Sequence, residues 1–122
     1  MDGCHGKKNI IGIFEKVIIH SASGEKTVMA KIDTGASKSS IDVTLAASLQ
    51  LGPVIKSKRI RNAHGSNLRE VIEVNIILAG NKTKCEFTLA DRSHMKYPII
   101  IGQNTLKKGC FLIDPLKTNK TD

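Results

Sequence analysis

Apolar and polar residues alternate over most of the 122-residue chain, and stretches with helical spacing are few and short. Residues 10–20 and 26–33 read as strands separated by Ser21-Ala22-Ser23-Gly24, whose small, turn-forming residues suit a hairpin, so the second strand is expected in an antiparallel pair. A short extended piece ends at Ile41. Asp42 then caps a helix of at most two turns, with Leu45, Ala46 and Leu49 on one face and Gly52-Pro53 ending it. Residues 55–63 and 67–78 form two further strands around His64-Gly65-Ser66; in the second, Ile72, Val74, Ile76 and Leu78 alternate with mostly polar residues. Gly80-Asn81 is a tight turn into a strand over 82–90, where Cys85, Phe87 and Leu89 keep the period of two. After a loop at 91–98, the run Ile99-Ile100-Ile101 is expected to be a strand buried on both faces. Gly102 leads into a one-turn helix over 103–108, and 110–113 is a last strand before Asp114-Pro115. The pattern predicts an all-β domain with one or two short helices.

There is no internal repeat or low-complexity tract, and the expected organisation is a flexible N-terminus at 1–9, one domain at 10–116 and a flexible tail at 117–122. No run approaches the roughly 18 apolar residues of a membrane span, and the first eight residues lack the apolar stretch of a secretory signal. A soluble, cytoplasmic protein is the expectation. The three cysteines, Cys4, Cys85 and Cys110, form no C-x-x-C, and their odd number points to a reducing compartment rather than a disulfide framework. Cysteines and histidines are too scattered for the close ligand pairs of a zinc site. The net charge of +8, densest at residues 56–61 and Lys107-Lys108, admits a nucleic-acid reading. With only Phe14, Phe87, Tyr97 and Phe111 as aromatics, such contact would be to phosphate rather than to stacked bases. A solvated basic face, or attraction of acidic peptides, competes with it.

The candidate chemistry lies at Asp33-Thr34-Gly35-Ala36, at the end of an apolar-rich strand. Two carboxylates about 3 Å apart cannot both ionise, so such a pair shares one proton: one member acts as base on a bridging water while the other polarises a carbonyl. One copy per chain is half of that site, and the second carboxylate must come from another chain, which makes a two-fold homodimer the leading expectation. Thr34 can turn its hydroxyl to backbone across the dimer axis, while Gly35 allows close approach and offers an N–H to the carboxylates. The remaining carboxylates, Glu15, Glu25, Glu70, Glu73, Glu86 and Asp91, read as solvated, and Asp114 as a turn former. Asp-Thr-Gly by itself also fits a strand ending in an Asx turn.

Further segments add to the triplet: residues 11–15, 30–36, 91–98 and 111–115, and the hydrophobic strand, glycine and short helix at 99–106. With them the chain resembles the retropepsin-like aspartic peptidases over roughly residues 10–116, most specifically the microbial RimK-associated group often labelled ATP-dependent zinc proteases. The resemblance implies a closed β-barrel subunit, a two-fold homodimer and peptide-bond hydrolysis by a dyad of two Asp33 carboxylates, with Thr34 and Gly35 completing the catalytic turn. No cofactor and no metal are expected, because an Asp-Thr-Gly site implies metal-free acid-base chemistry. It further implies that Ala36 and Ser37 border the substrate, that Ala63, His64, Gly65 and Ser66 lie at the tip of a flap, and that Met95, Tyr97 and Pro98 form a side-pocket wall. Arg92 and Lys96 would make that wall basic and favour acidic peptide substrates, in keeping with the group's association with ATP-grasp ligases that append glutamates. Two departures stand out. Gln103 replaces the arginine that commonly follows the glycine, and Ser37 replaces the aspartate that pairs with it in many viral relatives. A non-catalytic dimeric peptide-binding module of the same fold, and a basic-surface nucleic-acid binder, are the alternatives.

Overall fold

A computed structural model describes residues 8–63 and 65–118 of the chain. In chain order the elements are β1 (Asn9–Ile11), β2 (Phe14–Ser21), β3 (Gly24–Ile32), β4 (Ser39–Asp42), α1 (Val43–Ser48), β5 (Val54–Asn62), β6 (Gly65–Leu78), β7 (Asn81–Ala90), β8 (Ile99–Ile101), α2 (Gln103–Leu106) and β9 (Phe111–Ile113). Neighbouring strands run in the order β2-β3-β8-β4-β7-β6, and β2 pairs again with β6, which closes a six-stranded barrel. Closure gives each of those strands a neighbour on both sides over at least part of its length, which shortens the exposed edges.

The period of two sets the interior. Val17, Ile19, Ala30, Ile32, Ile41, Val74, Ile76, Leu78, Cys85, Phe87, Ile99 and Ile101 share one buried cluster, with Phe87 the largest fully buried side chain. β6 is long enough to serve two structures. Its second half joins the barrel through β7 and β2, while its first half pairs with β5 in a hairpin that projects from it. A register shift between Val54 and Lys56 marks where the hairpin departs.

α1 begins as the sequence leads one to expect, with the Asp42 carboxylate accepting from the Leu45 N–H at 3.2 Å. Other expectations are corrected. The apolar run at 10–20 is two strands, broken at Gly12-Ile13, because β1 leaves the barrel to pair in parallel with β9. The β6–β7 turn is Ala79-Gly80, one residue earlier than expected, with φ of 50° and 81°; both positive values are what a two-residue hairpin of right-handed twist requires. Ile100 is half-buried rather than buried on both faces, since β8 covers the core only with Ile99 and Ile101. Glu15 is buried, not solvated: its Oε2 accepts from the Gly12 N–H at 2.7 Å and from Lys117 Nζ at 2.9 Å. Cys110 is in a disulfide, contrary to the reading of the odd cysteine count, while Cys85 is a buried free thiol. Asn9 lies in β1, and Lys117 Nζ meets Glu15 Oε2 at 2.9 Å. No helix among the described residues is long and apolar enough to cross a membrane.

Candidate active site

β3 delivers Asp33 to a tight turn. The Ile32 N–H donates to the Ile13 carbonyl at 2.7 Å and the Asp33 N–H to the Ile101 carbonyl at 2.9 Å, so the aspartate is held from both flanks of its strand. The chain then reverses. Ala36 N–H donates to the Asp33 carbonyl at 3.2 Å, and Gly35 N–H donates to Asp33 Oδ1 at 3.0 Å. Asp33 is half-buried while Thr34 and Gly35 face solvent, so the carboxylate is oriented by backbone within a turn whose outer residues are exposed. A Cβ at Gly35 would stand 3.3 Å from Asp33 Oδ1, which is why the smallest residue suits that position.

A polar cluster beneath the turn fixes its position. Gln103 N–H donates to the Ala36 carbonyl at 2.8 Å, Asn104 N–H to the Ser37 carbonyl at 3.2 Å, and Gln103 Nε2 to the Thr34 carbonyl at 2.8 Å. The Ser39 hydroxyl uses its full capacity of one donor and two acceptor sites. It donates to Asn104 Oδ1 at 2.9 Å, accepts from the Gly102 N–H at 2.9 Å, and meets the Thr105 hydroxyl at 2.6 Å, where Thr105 must therefore be the donor. Asn104 Oδ1 also accepts from the Ser39 N–H at 2.8 Å, and its amide nitrogen donates to the Glu86 carbonyl at 2.8 Å. Ser39 and Thr105 are buried, and a satisfied network in a low-dielectric interior is rigid. Gln103, at the position where an arginine was the expectation, thus retains a grip on the turn without a charge.

Sequence reading named Asn104 and Thr105 only as part of the 99–106 segment, without individual roles, and passed over Ser39. The signal was present: an Asn and a Thr within a one-turn helix that follows a wholly apolar strand have to find polar partners in the interior.

The residues expected to surround the substrate fall into three groups. Ala36 and Ser37 belong to the Asp33 turn itself. Ala63, Gly65 and Ser66 lie at the tip of the β5–β6 hairpin, with Gly65 at φ of 121°; His64 lies outside the described residues. Ser66 is held to Arg59 at 3.3 Å, and no hydrogen bond among the described residues joins this tip to the Asp33 turn. Met95, Tyr97 and Pro98 occupy the loop before β8. There Tyr97 stacks on Phe14 with ring centroids 4.8 Å apart, Lys96 Nζ lies 5.7 Å from the Tyr97 centroid, and the Pro98 carbonyl accepts from the Asp42 N–H at 2.8 Å. Met95 is exposed.

Arg92 connects this loop to the site. Its Nε donates to the Tyr97 carbonyl at 2.9 Å and its backbone N–H to Asp42 Oδ1 at 2.8 Å. Partial burial depresses the Arg92 guanidinium and Arg69 pushes in the same direction, while Asp42 and Asp33 oppose them. Arg92 therefore feels the charges of both Arg69 and Asp33. An open cavity of about 620 Å³ adjoins it, lined by Val43, Ser57, Leu68, Arg69, Glu70, Leu89, Ala90 and Asp91. A smaller cavity of about 280 Å³ at His20, Glu25, Asn75 and Lys82 contains none of the expected site residues. The described residues contain no group of three or more His, Cys, Asp or Glu placed to hold a metal ion.

Comparison with known proteins agrees with this geometry. Among solved structures, a Legionella pneumophila subsp. pneumophila str. Philadelphia 1 protein, Lpg0085, of unknown function (DUF785), superposes with a TM-score of 0.66 at 21% identity, covering 95% of this chain and 100% of that one. The EIAV protease complexed with the inhibitor HBY-793 gives a TM-score of 0.62 at 20% identity over 84% of this chain and 88% of that one. The simian foamy virus (mac) protease gives 0.56 at 16% identity over 77% and 91%. At these identities the likeness is one of fold. No curated protein matches the sequence. The sequence profile of the RimB-like family, described as retropepsin-like aspartic endopeptidase RimB, matches residues 45–121, more than half of the chain and C-terminal to the Asp33 turn. By that match, and with a closed barrel like those of retroviral proteases, the chain belongs to the RimB-like family of retropepsin-like proteins.

Proposed function

We propose that two copies of this chain pair about a two-fold axis and hydrolyse peptide bonds with the two Asp33 carboxylates. The observation that carries this reading is the state of Asp33: one oxygen tied to the Gly35 N–H, the turn braced by Gln103 and Asn104, and Thr34 and Gly35 exposed to solvent. Family membership supports it. The shared proton leaves one Asp33 as the base that takes a proton from the bridging water and its twin as the acid that donates to the carbonyl oxygen. Proton return to the amine then releases the products, with no covalent intermediate.

Residues Ala36 and Ser37 border the peptide, the β5–β6 hairpin tip covers it, and Met95, Tyr97 and Pro98 flank it. The substrates are acidic peptides, a choice supported by Arg92, which lies within electrostatic reach of Asp33, since a guanidinium lowers the energy of a nearby carboxylate. A denatured proteome library incubated with wild type and Asp33→Asn at pH values from about 3 to 7 brackets a carboxylate dyad. Mass spectrometry should find cuts beside Asp or Glu made only by the wild type. Equal release by the two proteins, both dimeric, would instead favour a module that binds peptides without cutting them.

A further inference from the structure

Alternation along β3 places Ala30 and Ile32 in the core and turns Lys31 outward, where it is exposed. The ladder continues one residue past the strand, since the Asp33 N–H still donates to the Ile101 carbonyl. Asp33 therefore leaves β3 on the same face as Lys31, about 6–7 Å further along. That distance is one side-chain step along an extended peptide. A peptide whose carbonyl sits at Asp33 thus brings a neighbouring side chain over Lys31.

The adjoining strands complete a wall around this residue. Phe14 of β2 is its antiparallel partner and Ile100 of β8 its parallel one. Because the Ile32 N–H donates to the Ile13 carbonyl, Phe14 and Lys31 form a non-hydrogen-bonded pair, the position at which opposed side chains come closest. Phe14 also stacks on Tyr97 of the 91–98 loop, and Ile100 is half-buried. Lys31 is a single cation set between apolar side chains.

Other cations near the turn are engaged. Lys38 reaches Glu86 at 4.0 Å, Arg92 donates its Nε to the Tyr97 carbonyl at 2.9 Å, and Lys96 Nζ stands 5.7 Å from the Tyr97 ring centroid. The Lys31 ammonium has no hydrogen-bond or ion-pair partner among the described residues. A peptide lying over this face removes water from that ammonium, and a desolvated cation among apolar groups is costly unless a carboxylate meets it. Asp or Glu in the peptide supplies the carboxylate, whereas Lys or Arg adds repulsion between like charges.

We infer that Lys31 determines specificity at the scissile bond, pairing with an acidic side chain next to the cleaved carbonyl and rejecting a basic one. The inference rests on the two-fold peptidase reading above and assigns its charge preference to one residue on the Asp33 strand. Two-fold pairing brings a second Lys31 with the second Asp33, so the side chains on both sides of the bond each meet an ammonium.

The test uses the full chain on the denatured proteome library at about pH 6, where Asp and Glu side chains are ionised. Mass spectrometry identifies cuts absent from the Asp33→Asn digest and the residues that flank them. Wild type should cut beside Asp and Glu, and Lys31→Arg should keep that preference. Lys31→Glu should turn it toward Lys and Arg, lowering the acidic-to-basic ratio about 100-fold or more. Lys31→Met, which keeps the stem without the charge, should cut with no charge preference. Digestion by wild type at about pH 3 should weaken the acidic preference, because the peptide carboxylates are then largely protonated. An acidic preference retained by Lys31→Met or Lys31→Glu, or loss of all cuts by Lys31→Met, would overturn the assignment while leaving the peptidase reading intact. A wild type that makes no cuts beyond those of Asp33→Asn would overturn the peptidase reading and the role of Lys31 with it.

Discussion

Replacing Gly102 by alanine tests whether the support beneath the Asp33 turn is as tight as its hydrogen bonds imply. Gly102 has φ of −98° and ψ of −173°, extended backbone that any residue adopts, so the substitution meets no conformational barrier. Space is the only obstacle. A Cβ there would stand 2.5 Å from the Lys38 carbonyl oxygen, 2.7 Å from its carbon and 2.8 Å from the Ala36 carbonyl oxygen, all main-chain atoms that cannot rotate aside. Restoring ordinary contact, at about 3.5 Å, requires a displacement of close to 1 Å.

That displacement separates α2 from the turn it supports. Overpacking of this kind costs about 1–3 kcal/mol, and loosening the Gln103 N–H to Ala36 and Gly102 N–H to Ser39 bonds, both under 3 Å, adds about 1 kcal/mol each. The expected loss is about 3–5 kcal/mol in a urea titration with an unchanged slope. Any fraction that remains folded should also be impaired in peptide cleavage by about 100-fold, the usual cost of moving a reacting group by 1 Å. A stability loss below about 1 kcal/mol with normal cleavage would refute the reasoning, because it would mean that the turn yields to the methyl group without strain.

Two other perturbations address features away from the turn. Removing Lys117 from the buried Glu15 carboxylate leaves a charge held by one N–H, so Lys117→Met should lose about 2–3 kcal/mol; a double-mutant cycle with Glu15→Gln showing coupling under about 0.5 kcal/mol would contradict the pairing. Burial pushes the Cys85 thiol up, partly offset by Thr105 and Lys108. The folded chain thus keeps the thiol protonated where the unfolded chain ionises, so the contribution of Cys85 to stability is constant below about pH 8.5 and falls above it. Cys85→Ala should flatten that alkaline decline, and rapid iodoacetamide labelling of Cys85 in the native wild type would argue against its burial.

The strand alternation, the Asp42 cap and the placement of Asp33 at a strand end were legible because each depends on neighbours within a few residues. Asp33, Thr34 and Gly35 could be nominated from adjacent chemistry alone. What escaped the sequence depends on partners far along the chain. Ser39 meets Asn104 and Thr105 across the fold, and nothing local in either segment names the other. Glu15 looks like one more polar position in an alternating strand until Lys117 and Gly12 close on it. Ile100 lies in a run of three identical residues, so the side left half-open is fixed only by the neighbours of β8.

The β1–β9 ladder joins residues from near the two ends of the chain by hydrogen bonds whose geometry is the same whichever molecule supplies β1. The same segments are fastened to the barrel as well, because Ile11 is fully buried in its core cluster and the Gly12 N–H and Lys117 Nζ both donate to the buried Glu15. Segments more than a hundred residues apart in the chain thus share one set of fastenings, and hydrogen exchange should report them opening together as one unit rather than fraying separately.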